Sequence, residues 1–249
     1  MPGSSSNKSF YSRILGPYAS SEIKIVFTIL LMTLGILAFL VITGIVVSGN
    51  TRHIDEMVIQ SLREPGSPSK PRGPYALIGI MRDITSLGGA TFVTLITVIV
   101  AIYLILERKR RSLMLVLLAT LGGGLLESIL KTLIARQRPG PLFQLMPEYS
   151  HSFPSGHSMM SAVVYLSLAV LLARIQKRRI IRIYVVIVAL FLTFIIGISR
   201  IYLGVHYPTD VLAGWALGLA WASFVWFLSW RMELTDKSGE SLVHDEELK

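Results

Sequence analysis

Six stretches of this chain are close to 20 residues long and overwhelmingly apolar, a pattern that restricts the fold more than any other feature. They run from about Ile25 to Ser48, Ala90 to Leu106, Ser112 to Leu130, His157 to Ala173, Ile180 to Ile198 and Pro208 to Trp230. A bilayer core roughly 30 Å thick is crossed by about 20 residues of α-helix. No water is present there to satisfy free N–H and C=O groups, so each crossing segment must be helical. The expected fold class is all-α: an integral membrane bundle of six transmembrane helices with short interfacial helices, both termini cytoplasmic. A chain that is 52% hydrophobic and 16% charged fits that class and excludes a soluble globular one. The first stretch exceeds the 7–15 apolar residues typical of a signal peptide and reads as a retained anchor. Residues 1–24 then form a cytoplasmic segment, 25–231 the six-span domain, and 232–249 a disordered cytoplasmic tail, acidic from Glu240 onward.

The connecting segments carry the orientation. Asn50 to Arg72 is polar, with Pro65, Pro68 and Pro71, and is expected to hold one surface helix near Ile54 to Leu62, with Met57, Val58 and Leu62 at helical spacing. A second short helix, Ala76 to Ser86, is expected at the interface, separated from the next span by Gly88-Gly89. Arg108-Lys109-Arg110-Arg111 joins spans two and three, and Arg174 with Lys177-Arg178-Arg179 joins spans four and five. Lys8, Arg13 and Lys24 precede span one, and Arg231 follows span six. All lie on one side, which the excess of Lys and Arg makes cytoplasmic. The net charge of +9 thus sits mostly in short loop clusters that orient the chain in a bilayer, and no nucleic-acid partner is expected. Absence of cysteine rules out disulfides, thiolate metal sites and a cysteine nucleophile.

Three polar clusters end up on the opposite face. The first runs from Lys131 through Arg136 to Arg138-Pro139, the second is Pro154-Ser155-Gly156-His157, and the third is Ser199-Arg200 with His206 and Asp210. Lys and Arg at helix ends commonly snorkel to lipid headgroups. Here the density of cations before Pro139, a helix stop, points instead to anion binding, because Arg offers a planar fork to two phosphate oxygens and Lys a compact charge. The second cluster opens span four, where free backbone N–H groups and a partial positive charge suit phosphate. Ser155 can hydrogen-bond an oxygen and Gly156 permits close backbone approach, although the same tetrapeptide also reads as an ordinary capped helix start. In the third cluster a spacing of four places Asp210 within reach of His206, which would fix the imidazole tautomer and free the other nitrogen for attack.

Lys131 with Arg138-Pro139, Pro154-Ser155-Gly156-His157, and Ser199-Arg200 with His206 and Asp210 resemble, in order and spacing, the three signature motifs of the type 2 phosphatidic acid phosphatase superfamily. The short stretch from Gly140 to Phe153 resembles the compact bacterial members. The resemblance implies a membrane lipid phosphatase that hydrolyses a phosphomonoester or diphosphate lipid through a phosphohistidine, without a metal or other cofactor. Lys131, Arg138, Ser155, Gly156 and Arg200 would bind the phosphate. His206 would be the nucleophile, Asp210 its holder, and His157 the acid that protonates the leaving oxygen. The residues agree, since no carboxylate cluster suggests a magnesium site.

Candidate substrates are phosphatidic acid, phosphatidylglycerol phosphate, undecaprenyl diphosphate and lipid A phosphate, with the active site on the periplasmic face of a bacterial inner membrane. The partners implied are the lipid substrate and the bilayer; oligomeric state is not readable. A lipid phosphotransferase using the same histidine and a non-catalytic headgroup-binding or transport protein are the alternatives. Soluble vanadium haloperoxidases share the residues but not six spans. Glu127, one turn before Lys131, is expected to pair with it or to act behind it. Arg82 and Asp83 read as a salt bridge or as the lining of an entrance. Gly122-Gly123-Gly124 and the Gly214/Gly218 pair read as helix-packing surfaces.

Overall fold

The computed structural model describes the backbone of residues 17–247, with the side chains of residues 22–23, 25–173 and 176–232. The chain before residue 17 lies outside the described residues. So do the side chains of the tail beyond Met232, where disorder was expected.

Six described stretches are long and apolar enough to cross a membrane: Ile25–Val47, Ala76–Leu106, Arg110–Ile134, Gly156–Ala173, Arg179–Tyr202 and Pro208–Met232. They lie on helices α1 (Pro17–Val47), α3 (Ala76–Ser86) with α4 (Ala90–Leu106), α5 (Arg110–Leu117) with α6 (Gly123–Ile134), α7 (Gly156–Ile175), α8 (Arg179–Tyr202) and α9 (Pro208–Glu247). A surface helix α2 (Arg52–Ser61) follows α1. The turn Leu87–Gly89 separates α3 from α4, where the glycine pair predicts a break.

Helix α9 is the axis of the bundle. It packs against α1, α7 and α8, and 56% of its apolar window is buried, against 11% for Arg110–Ile134. In lipid, apolar contact alone does not drive helices together, so close approach at small residues must. A Cβ on Gly218 would stand 2.7 Å from the Met159 carbonyl of α7, and one on Gly35 2.7 Å from the Ala216 carbonyl of α9. The outer faces stay apolar, as a hydrocarbon surround requires: Leu30, Leu34, Leu37 and Val41 of α1 are all exposed.

Two features depart from the simple reading. Span three is not one regular helix, because Leu118–Gly122 forms a π-turn between α5 and α6. Such a turn loosens the backbone ladder, and here the Trp221 indole N–H donates to the Ala119 carbonyl at 3.0 Å. Gly122 and Gly123 admit that indole, whereas Gly124 faces open space. The polar connection after α2 also holds a small antiparallel ribbon, β1 (Arg63–Glu64) with β2 (Ser67–Pro71). Pro65-Gly66 makes its turn, Gly66 taking φ +76° as the third position of a tight turn demands. The guanidinium of buried Arg63 pins the ribbon inward, donating to the Tyr202 carbonyl at 3.0 Å and the Phe143 carbonyl at 2.5 Å.

Candidate active site

All three clusters meet at one end of the bundle. Lys131 sits in the last turn of α6, which ends before Pro139 is reached: Ala135 adopts a left-handed conformation and its N–H returns to the Lys131 carbonyl at 2.9 Å. The chain then runs irregularly through Arg136 and Arg138. Ser155 holds the N-cap position of α7 without a side-chain capping bond, and its hydroxyl accepts from Ser158 at 3.0 Å. The Ser155 N–H donates to the Asp210 carbonyl at 3.0 Å, joining the second cluster to the third. A Cβ on Gly156 would collide with the Glu127 carboxylate and come within 3.5 Å of the Lys131 ammonium, so only glycine lets this pair lie against the start of α7. Lys131 and Glu127 are 2.7 Å apart, the pairing anticipated from their spacing.

The Arg138 guanidinium reaches His206. Its Nη1 lies 3.2 Å from His206 Nε2 and 2.6 Å from the Val205 carbonyl. A guanidinium only donates, so Nε2 must present its lone pair and the proton must sit on Nδ1. Burial and the charges of Arg200, Arg138 and Lys131 hold the His206 imidazole well below its ordinary 6.5, hence neutral. On the Nδ1 side, Asp210 Oδ2 stands 3.6 Å away, beyond hydrogen-bond length. Its oxygens are committed elsewhere: Oδ2 accepts from Ser152 Oγ at 2.5 Å and the Tyr207 N–H at 2.9 Å, and Oδ1 accepts from Arg136. Ser152 Oγ also lies 3.4 Å from Nδ1, between the two groups.

His157 lies within electrostatic reach of Arg200, His206, Lys131 and Arg138. The Leu87–Gly89 turn leans on it: a Cβ on Gly89 would sit 3.5 Å from His157 Nε2, and one on Gly88 3.1 Å from its carbonyl. Tyr165 holds that turn through the Leu87 carbonyl at 3.0 Å. The glycine pair thus shapes the site as well as breaking the helix. Fully buried Arg200 donates to Thr85 Oγ1 at 3.2 Å and pairs with Glu148. Arg82 donates to the Leu145 carbonyl, so it braces the loop between α6 and α7 and takes no part in the expected pair with Asp83. Among the described residues, no three His, Cys, Asp or Glu side chains converge as a metal ligand set.

Sequence reasoning did not identify Ser152, Glu148 or Asp55 as part of this site. Asp55 is fully buried and binds Arg136 Nη2 at 2.7 Å, while Arg136 also holds Asp210. The sign lay in α2, whose buried stripe is Asp55 and Ile59, continuing the buried N-cap residue Thr51, whereas Met57 and Val58 turn outward. An acid at the centre of a buried stripe needs a cation. Arg136→Leu should strand two buried carboxylates and cost about 3–5 kcal/mol, with Arg136→Lys losing less. Melting temperatures in detergent check this; an unchanged midpoint for the leucine variant contradicts it.

Residues 112–233 match the PAP2 superfamily model. The chain is 40% identical over 144 residues to phosphatidylglycerophosphatase B of Bacillus subtilis, covering 56% of this chain and 69% of that one. It is 30% identical over 132 residues to an undecaprenyl-diphosphatase of Sulfolobus acidocaldarius, covering 51% and 59% respectively. The crystal structure of a transmembrane PAP2-type phosphatidylglycerolphosphate phosphatase from Bacillus subtilis superposes with a TM-score of 0.72 at 32% identity, covering 80% of this chain and 95% of that one. The chain therefore belongs to the PAP2 superfamily.

Proposed function

We propose that this protein is a membrane lipid phosphatase that cleaves a phosphomonoester or diphosphate lipid by way of a phosphohistidine on His206. The observation that carries the reading is the Arg138 Nη1–His206 Nε2 contact of 3.2 Å, which aims the lone pair of a neutral imidazole at a phosphate-binding cation. Lys131, Arg138 and Arg200 take the phosphate oxygens, with Ser155 and Gly156 at the start of α7. His206 Nε2 attacks phosphorus as the phosphorus–oxygen bond to the lipid breaks, and His157 delivers the proton to the departing oxygen. His157 then removes a proton from water, the water oxygen attacks phosphorus, the N–P bond breaks and inorganic phosphate leaves. Asp210 and Ser152 keep the Nδ1–H side of His206 in register. The relatives that act on phosphatidylglycerophosphate and undecaprenyl diphosphate support lipid phosphates as the substrate class. Their acyl or prenyl tails can remain in the bilayer.

Phosphate release from a panel of lipid phosphates in EDTA tests this. Release should persist in EDTA and fall with vanadate, which adopts the five-coordinate geometry of the transition state. Magnesium-dependent, vanadate-insensitive release contradicts the mechanism. Run across pH, the same assay should show no loss of His206 reactivity until well below its ordinary 6.5, because the folded site resists protonation. The sign for stability is the same: the unfolded imidazole takes the proton first, so stability present above about 6.5 declines as pH falls through that value.

The loop charges support a periplasmic or outer active site and cytoplasmic α4–α5 and α7–α8 loops. A reporter after Arg178 should be cytoplasmic and one within residues 140–153 external; the reverse result overturns this orientation.

A further inference from the structure

The chain that carries His206 leaves α8 through a closely specified turn. Leu203 caps the helix and Gly204 takes φ +68°. The Gly204 N–H donates to the Ile201 carbonyl at 2.9 Å and the Val205 N–H to the Arg200 carbonyl at 3.2 Å. These two bonds form a Schellman motif, which leaves only the last two carbonyls of the helix end to be satisfied from elsewhere. Both find partners distant in sequence. The Leu203 carbonyl accepts from the Leu145 N–H at 2.9 Å, and that of Tyr202 from Arg63 Nη1 at 3.0 Å, 139 residues away.

Arg63 is only 2% exposed, and every hydrogen bond it donates among the described residues ends on a backbone carbonyl, of Leu62, Tyr202 or Phe143. A buried cation held by carbonyls alone is costly, and here the negative end of the α8 dipole offsets part of that cost. The backbone around Arg63 is fixed as well. The Arg72 N–H donates to the Leu62 carbonyl at 2.9 Å, Arg72 Nε to the Arg63 carbonyl at 2.8 Å, and the Tyr202 hydroxyl to the Arg72 carbonyl at 3.0 Å. The β1–β2 ribbon thus presents one oriented fork to the end of α8. A planar guanidinium fixes the angle between two acceptors, which a rotating ammonium does not. Nη1 takes Tyr202, and Nη2 takes Phe143 of the loop between α6 and α7.

That fork sets the position of the turn before His206. A Cβ on Gly204 would collide with the Phe143 carbonyl and stand 2.5 Å from Arg63 Nη2, so the turn is pressed directly onto the clamp. Arg138 Nη1 meets the next two residues together, the Val205 carbonyl at 2.6 Å and His206 Nε2 at 3.2 Å. A turn that slides past Arg138 carries the His206 lone pair away from the phosphate site, and a displacement of about 1 Å is enough to cost about a hundredfold in rate. Two of the cations proposed to bind phosphate have supports of their own: Lys131 pairs with Glu127, and Arg200 is held by Thr85 and Glu148.

We propose that Arg63 is a positioning residue for the reaction, a clamp from the β1–β2 ribbon that caps α8 and fixes the Leu203–Val205 turn so that His206 faces the phosphate. The inference rests on the phosphatase reading of the site, with His206 as nucleophile. Its test is lipid phosphate turnover by the full-length enzyme in detergent, comparing wild type with Arg63→Ala and Arg63→Lys below the melting midpoint of each. Arg63→Ala should lose kcat about tenfold to a hundredfold, while KM and inhibition by inorganic phosphate stay near wild type, because Lys131, Arg138 and Arg200 remain. Arg63→Lys should fall between. Guanidinium ion, added below denaturing concentrations, should raise the kcat of Arg63→Ala and not that of wild type, by refilling the vacated space. An unchanged kcat in Arg63→Ala overturns the role of Arg63. So does a loss of kcat matched by an equal weakening of phosphate inhibition, or one that guanidinium does not relieve, since either marks a general distortion of the fold. If Arg63→Ala does not fold, Arg63→Lys must itself lose kcat at unchanged phosphate inhibition, and wild-type kcat there overturns the proposal. Wild type that releases no phosphate from lipid phosphates removes the phosphatase reading and this inference together.

Discussion

Replacing His206 with alanine should leave a folded protein whose turnover has dropped by at least about a thousandfold. The imidazole is buried, neutral and oriented from both sides, by Arg138 at Nε2 and by Ser152 and Asp210 near Nδ1. No second nucleophile stands in its place: His157 lies at the start of α7, beside the Leu87–Gly89 turn. Alanine removes the proposed attacking atom yet spares the ion pairs that hold the site together, because Arg136 binds Asp55 and Asp210 independently of His206. Activity on a short-chain lipid phosphate, with size exclusion to confirm folding, checks the point. Retention of more than a few per cent rules out His206 as the attacking group.

Asp210→Asn should cost about a hundredfold to ten-thousandfold, the range expected when a carboxylate that governs a catalytic histidine becomes neutral. The geometry explains why the loss falls short of that for His206. Asp210 stands 3.6 Å from the ring, and Ser152 Oγ can still hold Nδ1–H at 3.4 Å. An asparagine nevertheless brings an NH2 group where Arg136 or Ser152 now donates, and leaves Arg136 with Asp55 as its sole carboxylate. The variant should therefore lose kcat with little change in KM, since Asp210 hydrogen-bonds Arg136, Ser152 and the Tyr207 N–H and none of the three cations proposed to bind phosphate. A variant retaining more than half of wild-type activity contradicts the role given to Asp210.

The legibility of this molecule follows the range of its interactions. The six spans were readable because apolar length is a local property, and α3 and α4 because glycine punctuation is local too. The Glu127–Lys131 pair was readable for the same reason, as a contact of one helical turn. Asp55 was not: its partner Arg136 lies 81 residues away, and no periodicity reports a contact of that separation. Arg82 met the Leu145 carbonyl, 63 residues off, in place of its neighbour Asp83. Glu148 was not readable as part of the site, because its meaning comes from Arg138 and Arg200, which only the folded bundle brings together. The π-turn was hidden as well, since it depends on an indole from α9 reaching the Ala119 carbonyl.

The phosphoenzyme is the central claim, and trapping it is the most direct test. The protein in EDTA is mixed with a lipid phosphate carrying labelled phosphorus, quenched in alkali where phosphohistidine survives, and digested. The expected result is label on the peptide containing His206, lost on acid treatment and absent from His206→Ala, while Asp210→Asn accumulates it more slowly. Turnover with no label on that peptide, or label that forms only when magnesium is supplied, contradicts it.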